Sequence, residues 1–309
     1  VVALTSLRVR AFAKVNLGLE VLGLRADGFH ELRTLFQSVD LHDDVVVRLR
    51  RRSREITVAC DHPLVPADET NLAHRAASAL RRHVRASGGA HIEVRKRIPV
   101  GGGLGGGSSD AAAVLMALDR LWRLGLGPAG LHPLARRLGA DVPYFLVGGT
   151  ALGVARGDEV YPLHRQLRGH VVIANPGLAV STAAVFRRAS ARLTPRENSN
   201  SIYLFVSRDL EGKRDFSLLA NDLEEAAFEE APALKARAGR IRKLLVREGA
   251  RLAALSGSGS SYFGFFDGPD EARRAVRALR EDGVEAWRAR TLAVDGYRRA
   301  CSAGVASLG

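Results

Sequence analysis

The residues best suited to chemistry in this 309-residue chain lie between Pro99 and Ala113, which read PVGGGLGGGSSDAAA. Six glycines surround Leu104, and two serines follow. Glycine has no Cβ, so its backbone N–H can approach a ligand closely and adopt positive φ. The Ser-Ser-Asp-Ala-Ala-Ala segment reads as a helix start, with Ser108 or Ser109 as cap and Asp110 in the first turn. Unpaired N–H groups and the helix dipole then point at one spot, which is the make-up of an anion site. The stretch reads as a phosphate cradle.

What the cradle lacks narrows its type. A Walker A loop has a lysine directly after its last glycine, and here Ser108 follows Gly107. A dinucleotide fingerprint can be laid on Gly101, Gly103 and Gly106, but it requires a second strand ending in an acidic residue about 20 residues on. The chain instead continues at helical spacing through Val114, Leu115, Leu118, Leu121 and Trp122. The His-Arg-Asp and Asp-Phe-Gly motifs of protein kinases do not occur. A flexible linker is disfavoured, because linkers do not usually abut an amphipathic helix.

A second signal is scarcity. Positive charge is carried almost wholly by arginine, and the lysines are Lys14, Lys96, Lys213, Lys235 and Lys243 alone. Where arginine is the habit, a lysine marks a place that needs a compact ammonium. The net charge of +13 raises nucleic acid as a partner, but the arginines are spread in pairs such as Arg81–Arg82 and Arg136–Arg137 at polar helix positions. Aromatics make up only 6% and form no stripe for stacking bases, so no nucleic-acid partner is expected. The excess charge suits polyanionic small substrates. Cys60 and Cys301 form no framework and fit a reducing compartment. No apolar run approaches a membrane span, and VVALTSLRVRAFAKVNL lacks the order of a secretion signal, so a cytoplasmic protein with no membrane partner is expected. Monomer and homodimer stay open.

The elements that would position these residues follow from periodicity. Strands are expected at Leu7–Ala13, Val15–Leu22, Thr34–Leu41, Val45–Leu49 and Ile56–Cys60. Asn71 caps a helix to about Ser87, and His91–Ile98 is a strand delivering the chain into the glycine loop. Helices follow at Ser109–Leu124 and Pro128–Leu138, the second ended by Gly139-Ala140-Asp141-Val142-Pro143, since proline biases Val142 away from helix. Strands at Thr150–Ala155 and His170–Ala174 come next, and the polar Arg187–Asn200 stretch is the linker or mobile-loop candidate. Helices near Ser217–Glu229 and Leu234–Glu248 precede Ser256-Gly257-Ser258-Gly259-Ser260-Ser261. The strand Tyr262–Phe266, the helix Pro269–Glu281 and the strand Val284–Thr291 finish the chain. The mix reads as α+β, divided near residue 165 into 1–165 and 166–309.

Three segments together resemble the galactokinase, homoserine kinase, mevalonate kinase and phosphomevalonate kinase (GHMP) superfamily: AFAKVNLGLEVLG (Ala11–Gly23), the glycine loop, and LSGSGSSYFGFF (Leu255–Phe266). Within it, RADGFHELRTLFQSVDLHD (Arg25–Asp43), LGADVPYFLVGGTA (Leu138–Ala151) and Asn221-Asp222-Leu223-Glu224 resemble the 4-diphosphocytidyl-2-C-methyl-D-erythritol kinase branch. The resemblance spans nearly the whole chain and is weakest between Arg187 and Phe216. It implies a ribosomal-S5-like N-terminal domain, a ferredoxin-like C-terminal domain and an active site in the cleft between them. The implied activity is ATP-dependent phosphorylation of that substrate's 2-hydroxyl, with Mg²⁺. Another small-molecule kinase of the superfamily, acting on mevalonate or homoserine, is the nearest alternative. A non-catalytic nucleotide- or RNA-binding protein is the more distant one.

The resemblance also implies roles. Pro99, Val100, Gly101, Gly102, Gly103, Leu104, Gly105, Gly106, Gly107, Ser108 and Ser109 would hold the ATP phosphates. Asp141 would accept the hydroxyl proton, and Lys14 would support it. Asn16, Phe29, His30, Thr182 and Phe186 would grip the substrate, with His30 on the cytosine edge and Phe29 and Phe186 on its two faces. Position 29 departs from the family's Asp-Gly-Tyr-His, which keeps an aromatic face but removes a hydroxyl. Ser256–Ser260 would floor the cleft near substrate or phosphate. No Mg²⁺ ligand is assigned, and Asp110 reads as a helix N-terminal charge.

Overall fold

Two long strands organise the molecule, seen here in a computed structural model that describes residues 5–191 and 200–302. The four strands expected before residue 50 join into two, β1 (Ser6–Leu24) and β2 (His30–Arg50), paired antiparallel through pairing irregularities at Phe12/Lys14, Asn16/Gly18 and Val21/Gly23. Such shifts let one strand keep pairing while side chains are re-aimed, so breaks in the pattern need not be turns.

β3 (Ile56–Cys60), α1 (Leu72–Val84) and β4 (Gly89–Arg95) form a crossover whose two strands pair in parallel. Asn71 caps α1 as expected, its side-chain oxygen accepting from the Ala73 N–H at 2.8 Å. The loop then enters α2 (Gly106–Leu121), followed by α3 (Gly127–Leu138), α4 (Val142–Val147), β5 (Thr150–Val154) and β6 (Glu159–Pro162). β2 is central: β1 lies along one edge, and β4 and β5 divide the other.

The second sheet has the order β10-β7-β9-β8, all pairs antiparallel, built from β7 (His170–Asn175), β8 (Leu252–Leu255), β9 (Tyr262–Phe266) and β10 (Glu285–Arg290). With helix α8 (Pro232–Arg247) between β7 and β8 and α9 (Pro269–Glu281) between β9 and β10, this is the split βαβ arrangement of ferredoxin-like domains. α5 (Thr182–Ala191), α6 (Ser201–Leu210) and α7 (Glu224–Glu230) complete this half, and α10 (Val294–Ser302) ends the described chain.

Three cores hold these layers. Ala13, Val15 and Leu17 of β1 pack with Val171, Ile173, Phe263 and Phe265 between the sheets, while Phe12 belongs to the core under α1–α4. A third core lies between the second sheet and α5, α7, α8 and α9. The connection between the sheets falls at 163–169, but α10 crosses back: Tyr297 and Cys301 are in the first core, and the Tyr297 hydroxyl donates to the Phe145 carbonyl at 2.7 Å.

Several local expectations change. Residues 187–191 of the linker candidate are helical, and 192–199 lie outside the described residues. The segment near 217–229 is a short 3-10 turn (Phe216–Leu218) and then α7, rather than one helix. Val142 is the first residue of α4, with Pro143 in its first turn, where the missing N–H would have had no intrahelical partner anyway. α2 starts at Gly106 with Gly105 at its cap (φ 72°) and no side-chain cap, so Ser108 and Ser109 are inside the helix.

Candidate active site

The cleft between the two halves has a volume of about 610 Å³, and all six of the sequence motifs contribute to its wall. β1 presents Lys14 and Asn16 on the same side as Phe12, as the two-residue period of a strand requires. Lys14 is 3% exposed, and its ammonium has an acceptor for each of its three protons. It donates to Asn16 Oδ1 at 2.6 Å and to the Gly103 carbonyl at 2.9 Å, and lies 3.4 Å from Asp141 Oδ2. The Asn16 amide donates to the Thr34 hydroxyl at 2.8 Å, which donates to the Gly18 carbonyl at 2.8 Å. Asn16 is thereby fixed with its oxygen toward Lys14.

Asp141 immediately precedes α4, and its carboxylate is not used in a cap. The helix behind it is anchored by Tyr144, whose hydroxyl donates to the Gly149 carbonyl and meets the Ser38 hydroxyl, both at 2.7 Å. Burial drives the Tyr144 phenol well above its ordinary range, with the Asp141 charge adding to the effect, so it stays a protonated donor. Asp141 is left 35% exposed at the cleft, on one side against Lys14.

The glycine loop is held from two sides. The Gly103 carbonyl accepts from Lys14 and also from the Ser256 hydroxyl at 2.9 Å. Gly103 has φ 73°, and a Cβ there would stand 2.0 Å from the Ser256 carbonyl oxygen. The Asn221 amide in turn donates to the carbonyls of Leu255 and Gly257, at 2.9 and 2.7 Å, fixing the Ser256–Gly257 turn. Gly106, Gly107 and Ser108 open α2, so their N–H groups have no intrahelical acceptor. Pro99–Ser108 all line the cleft. Ser109 does not share this role: its hydroxyl donates to the Phe12 carbonyl at 2.7 Å and its N–H to the Gly105 carbonyl, tying α2 to β1.

Asp110 is not a surface helix charge. It is buried with Lys96 and Asp43 beneath the loop, the Lys96 ammonium lying 2.5 Å from Asp43 Oδ2 and 2.8 Å from Asp110 Oδ2. Burial, helped by the Asp43 charge and opposed by Lys96, pushes the Asp110 carboxyl up to about 7. Burial works to lower the Lys96 ammonium, but the two carboxylates outweigh it and hold it above its ordinary value. Two of the five lysines, Lys14 and Lys96, thus have buried side chains beside the loop.

Of the residues expected to grip the substrate, Asn16 stands beside Lys14 and Thr182 and Phe186 line the cleft, while Phe29 and His30 are not among its lining residues. The His30 and Phe186 rings lie 5.1 Å apart, and His30 Nε2 is 2.5 Å from the Ser190 hydroxyl. Burial lowers the His30 pKa, favouring the neutral ring. Phe186 both lines the cleft and packs on the second-half core, and the Thr182 and Ser258 hydroxyls meet at 2.8 Å. Phe29 is half exposed and lies under the Arg156 guanidinium, 4.7 Å from ring centroid to Cζ. Phe29 and Phe186 thus have different partners here, and only Phe186 lines the cleft. Sequence reasoning did not single out Thr34, which stands in a motif but was read only as a strand residue, nor Arg156 and the apolar slot of Leu64, Val65, Pro66 and Leu72, which stand in none.

The fold and this cleft define a class, the GHMP kinases: the model of the GHMP kinases N terminal domain matches residues 71–149 and that of the GHMP kinases C terminal domain residues 206–285. A homoserine kinase from Cytophaga hutchinsonii shares the fold at 20% identity, with a TM-score of 0.75 over 93% of this chain and 95% of its own. The chain belongs, within that class, to the 4-diphosphocytidyl-2-C-methyl-D-erythritol kinase family. It is 42% identical over 278 residues to the kinase of that name from Solibacter usitatus (89% of this chain, 85% of the relative). With the Gloeobacter violaceus kinase it shares 42% over 293 residues (93% and 94%). A crystal structure of 4-(cytidine 5'-diphospho)-2C-methyl-D-erythritol kinase superposes with a TM-score of 0.73 at 37% identity, covering 92% of this chain and 98% of that one.

Proposed function

We propose that the protein transfers the γ-phosphoryl group of ATP to the 2-hydroxyl of 4-diphosphocytidyl-2-C-methyl-D-erythritol, giving the 2-phosphate and ADP in the non-mevalonate route to isoprenoid precursors. The observation that carries the chemistry is the Lys14–Asp141 pair, 3.4 Å apart, with Lys14 also bonded to the loop carbonyl of Gly103. Phosphoryl transfer needs positioning and charge neutralisation more than covalent help. The hydroxyl proton passes to the Asp141 carboxylate as the oxygen–phosphorus bond forms and the bond from the γ-phosphorus to the bridging oxygen of ADP breaks. The Lys14 ammonium stabilises the charge that grows on the attacking oxygen.

On the donor side, the N–H groups of Gly106, Gly107 and Ser108 hold phosphate oxygens, and the slot of Leu64, Val65, Pro66 and Leu72 takes the flat apolar face of the purine. On the acceptor side, cytosine packs on Phe186, and the neutral His30 ring, its Nε2 held by the Ser190 hydroxyl, offers its other ring nitrogen to the base edge. Mg²⁺ fits here as an ion carried mainly by the phosphates, because no three acidic, histidine or cysteine side chains converge among the described residues. The Ser108 hydroxyl, on the cleft wall, is the protein oxygen placed to assist it. The ion would neutralise charge on the transferring phosphoryl group.

The test is ADP formation by the purified protein with Mg²⁺ and ATP, offered the diphosphocytidyl substrate, mevalonate and homoserine in parallel. Turnover confined to the first is expected. Turnover of mevalonate or homoserine with none of the first would overturn the assignment.

A further inference from the structure

In the reading just proposed, the base lies at His30 and Phe186 and the reacting hydroxyl at Lys14 and Asp141, so the substrate's diphosphate must lie between them. The two ends are joined by a single strand. His30, Leu32 and Thr34 alternate along β2, Leu32 and Thr34 line the cleft, and Thr34 holds Asn16 beside Lys14. His30 to Thr34 is about 14 Å at the usual rise of about 3.4 Å per strand residue. At the midpoint docks the turn between β5 and β6, where the Leu32 N–H donates to the Ala155 carbonyl at 2.6 Å. The next residue is Arg156, itself on the cleft wall.

This turn is built to present a guanidinium. Ala155 and Gly157 have φ of 58° and 85°, and the Gly157 N–H closes the turn on the Val154 carbonyl at 2.9 Å. Nε and Nη2 of Arg156 donate to Asp158 Oδ2 at 3.2 and 2.7 Å, which locks the plane of the fork. Asp158 is fully buried and is shared with Arg136, whose Nε donates to the same oxygen at 2.9 Å. The neighbouring Asp27 is engaged by Arg25 and by the Phe29 N–H. Phe29 supports the flat face of the Arg156 group. Nη1 has no acceptor among the described residues.

The other cations of the cleft are already committed: Lys14 to three acceptors, Lys96 to two carboxylates. We infer that Arg156 is the contact for the diphosphate of the acceptor and so selects nucleoside-diphosphate-linked substrates over uncharged ones. The inference rests on the base-site reading above. It also accounts for Phe29, which here supports the arginine.

The test compares cytidine with cytidine 5'-diphosphate as ligands, by calorimetry, with the donor site filled by ADP. Arg156→Gln removes the charge, while Arg136 still neutralises the buried Asp158. The wild-type preference for the diphosphate is expected to fall by about tenfold or more, as for loss of a charge-assisted hydrogen bond, with cytidine affinity unchanged. In turnover, KM for the acceptor rises while KM for ATP holds. An unchanged diphosphate-to-cytidine ratio overturns the inference. Should the glutamine variant fail to fold, Arg156→Lys keeps the charge without the planar fork and is read on the same ratio, with a loss of about threefold expected and no loss refuting. If cytidine binds neither protein, the base-site reading fails by itself. Arg156 is then judged on the diphosphate alone, weaker binding in the variant supporting it and equal binding overturning it.

Discussion

Asp141→Asn isolates the proposed proton acceptor, because the geometry separates its carboxylate from the glycine loop. The asparagine keeps the shape of the side chain but cannot take the hydroxyl proton. Loss of a positioned general base lowers kcat by about 10²–10⁴, equivalent to about 3–5 kcal/mol at about 1.4 kcal/mol per tenfold. The loop should not notice, since Gly103 keeps both of its donors, Lys14 and Ser256, and Asp141 bonds to no loop group. ATP affinity is therefore expected to stay within about twofold, and Lys14 retains two of its three acceptors, Asn16 and Gly103. Lys14→Met should behave differently. It removes the ammonium from the attacking oxygen and also one of the two donors that hold the Gly103 carbonyl, so kcat falls and KM for ATP rises together. The assay is steady-state ADP release, with ATP binding measured calorimetrically on the same preparations. A kcat for Asp141→Asn within about threefold of wild type would remove Asp141 from the base role. Equal ATP affinities in Lys14→Met and wild type would refute the link between the lysine and the loop.

Two further outcomes follow from the loop and from what lies beneath it. Gly103→Ala should abolish measurable ATP binding, since its Cβ would meet the Ser256 carbonyl oxygen at 2.0 Å, whereas Gly101→Ala, which faces open space at a similar φ of 72°, should lose only a strain cost of about 1–2 kcal/mol; comparable binding by the two variants would refute the packing argument. Asp110 has its folded-state pKa pushed up to about 7 from an ordinary 3.8, so the folded protein binds that proton more tightly than the unfolded chain. Its contribution is fully present below about 4 and is lost as pH rises to about 7, and Asp110→Asn should lose less stability than wild type between about pH 5 and about pH 8 in urea melts. Parallel losses in both proteins would show that Asp110 is ionised throughout.

Much of this protein was legible in order along the chain. The Asn71 cap, the strand at 56–60, the helix at 269–281 and the glycine loop all rest on local chemistry: a side chain that caps, a two-residue alternation, a φ that glycine adopts freely. The scarcity of lysine was also informative, because the two lysines beside the loop are the ones whose ammonium groups are packed among acceptors. Short segments were misread where tertiary contact overrides propensity. Val142 turns helical because Tyr144, tied locally to Gly149, is also stacked on Phe36 and bonded to Ser38, two contacts far away in sequence. Family resemblance pointed to the roles of Lys14 and Asp141, but the residues alone describe one strand lysine and one aspartate 127 positions apart.

What the sequence by itself determined, then, was a glycine-rich loop running into a helix, with no lysine inside it, and from that the expectation of a phosphate held by backbone. Only the tertiary structure decided what surrounds that loop. Lys14 meets Asp141 because a pairing irregularity and a two-residue period aim β1 into the cleft, while a buried tyrosine fixes the short helix opposite. Asp110, by sequence a helix-end charge, becomes a buried partner of Lys96 because α2 starts earlier and packs deeper than its serines suggest. Arg156 acquires its place midway along the cleft from one backbone hydrogen bond to Leu32 and a carboxylate shared with Arg136. Local preferences act over a few residues, whereas a catalytic site is a set of distances between strands and helices, and those exist only once the layers have packed.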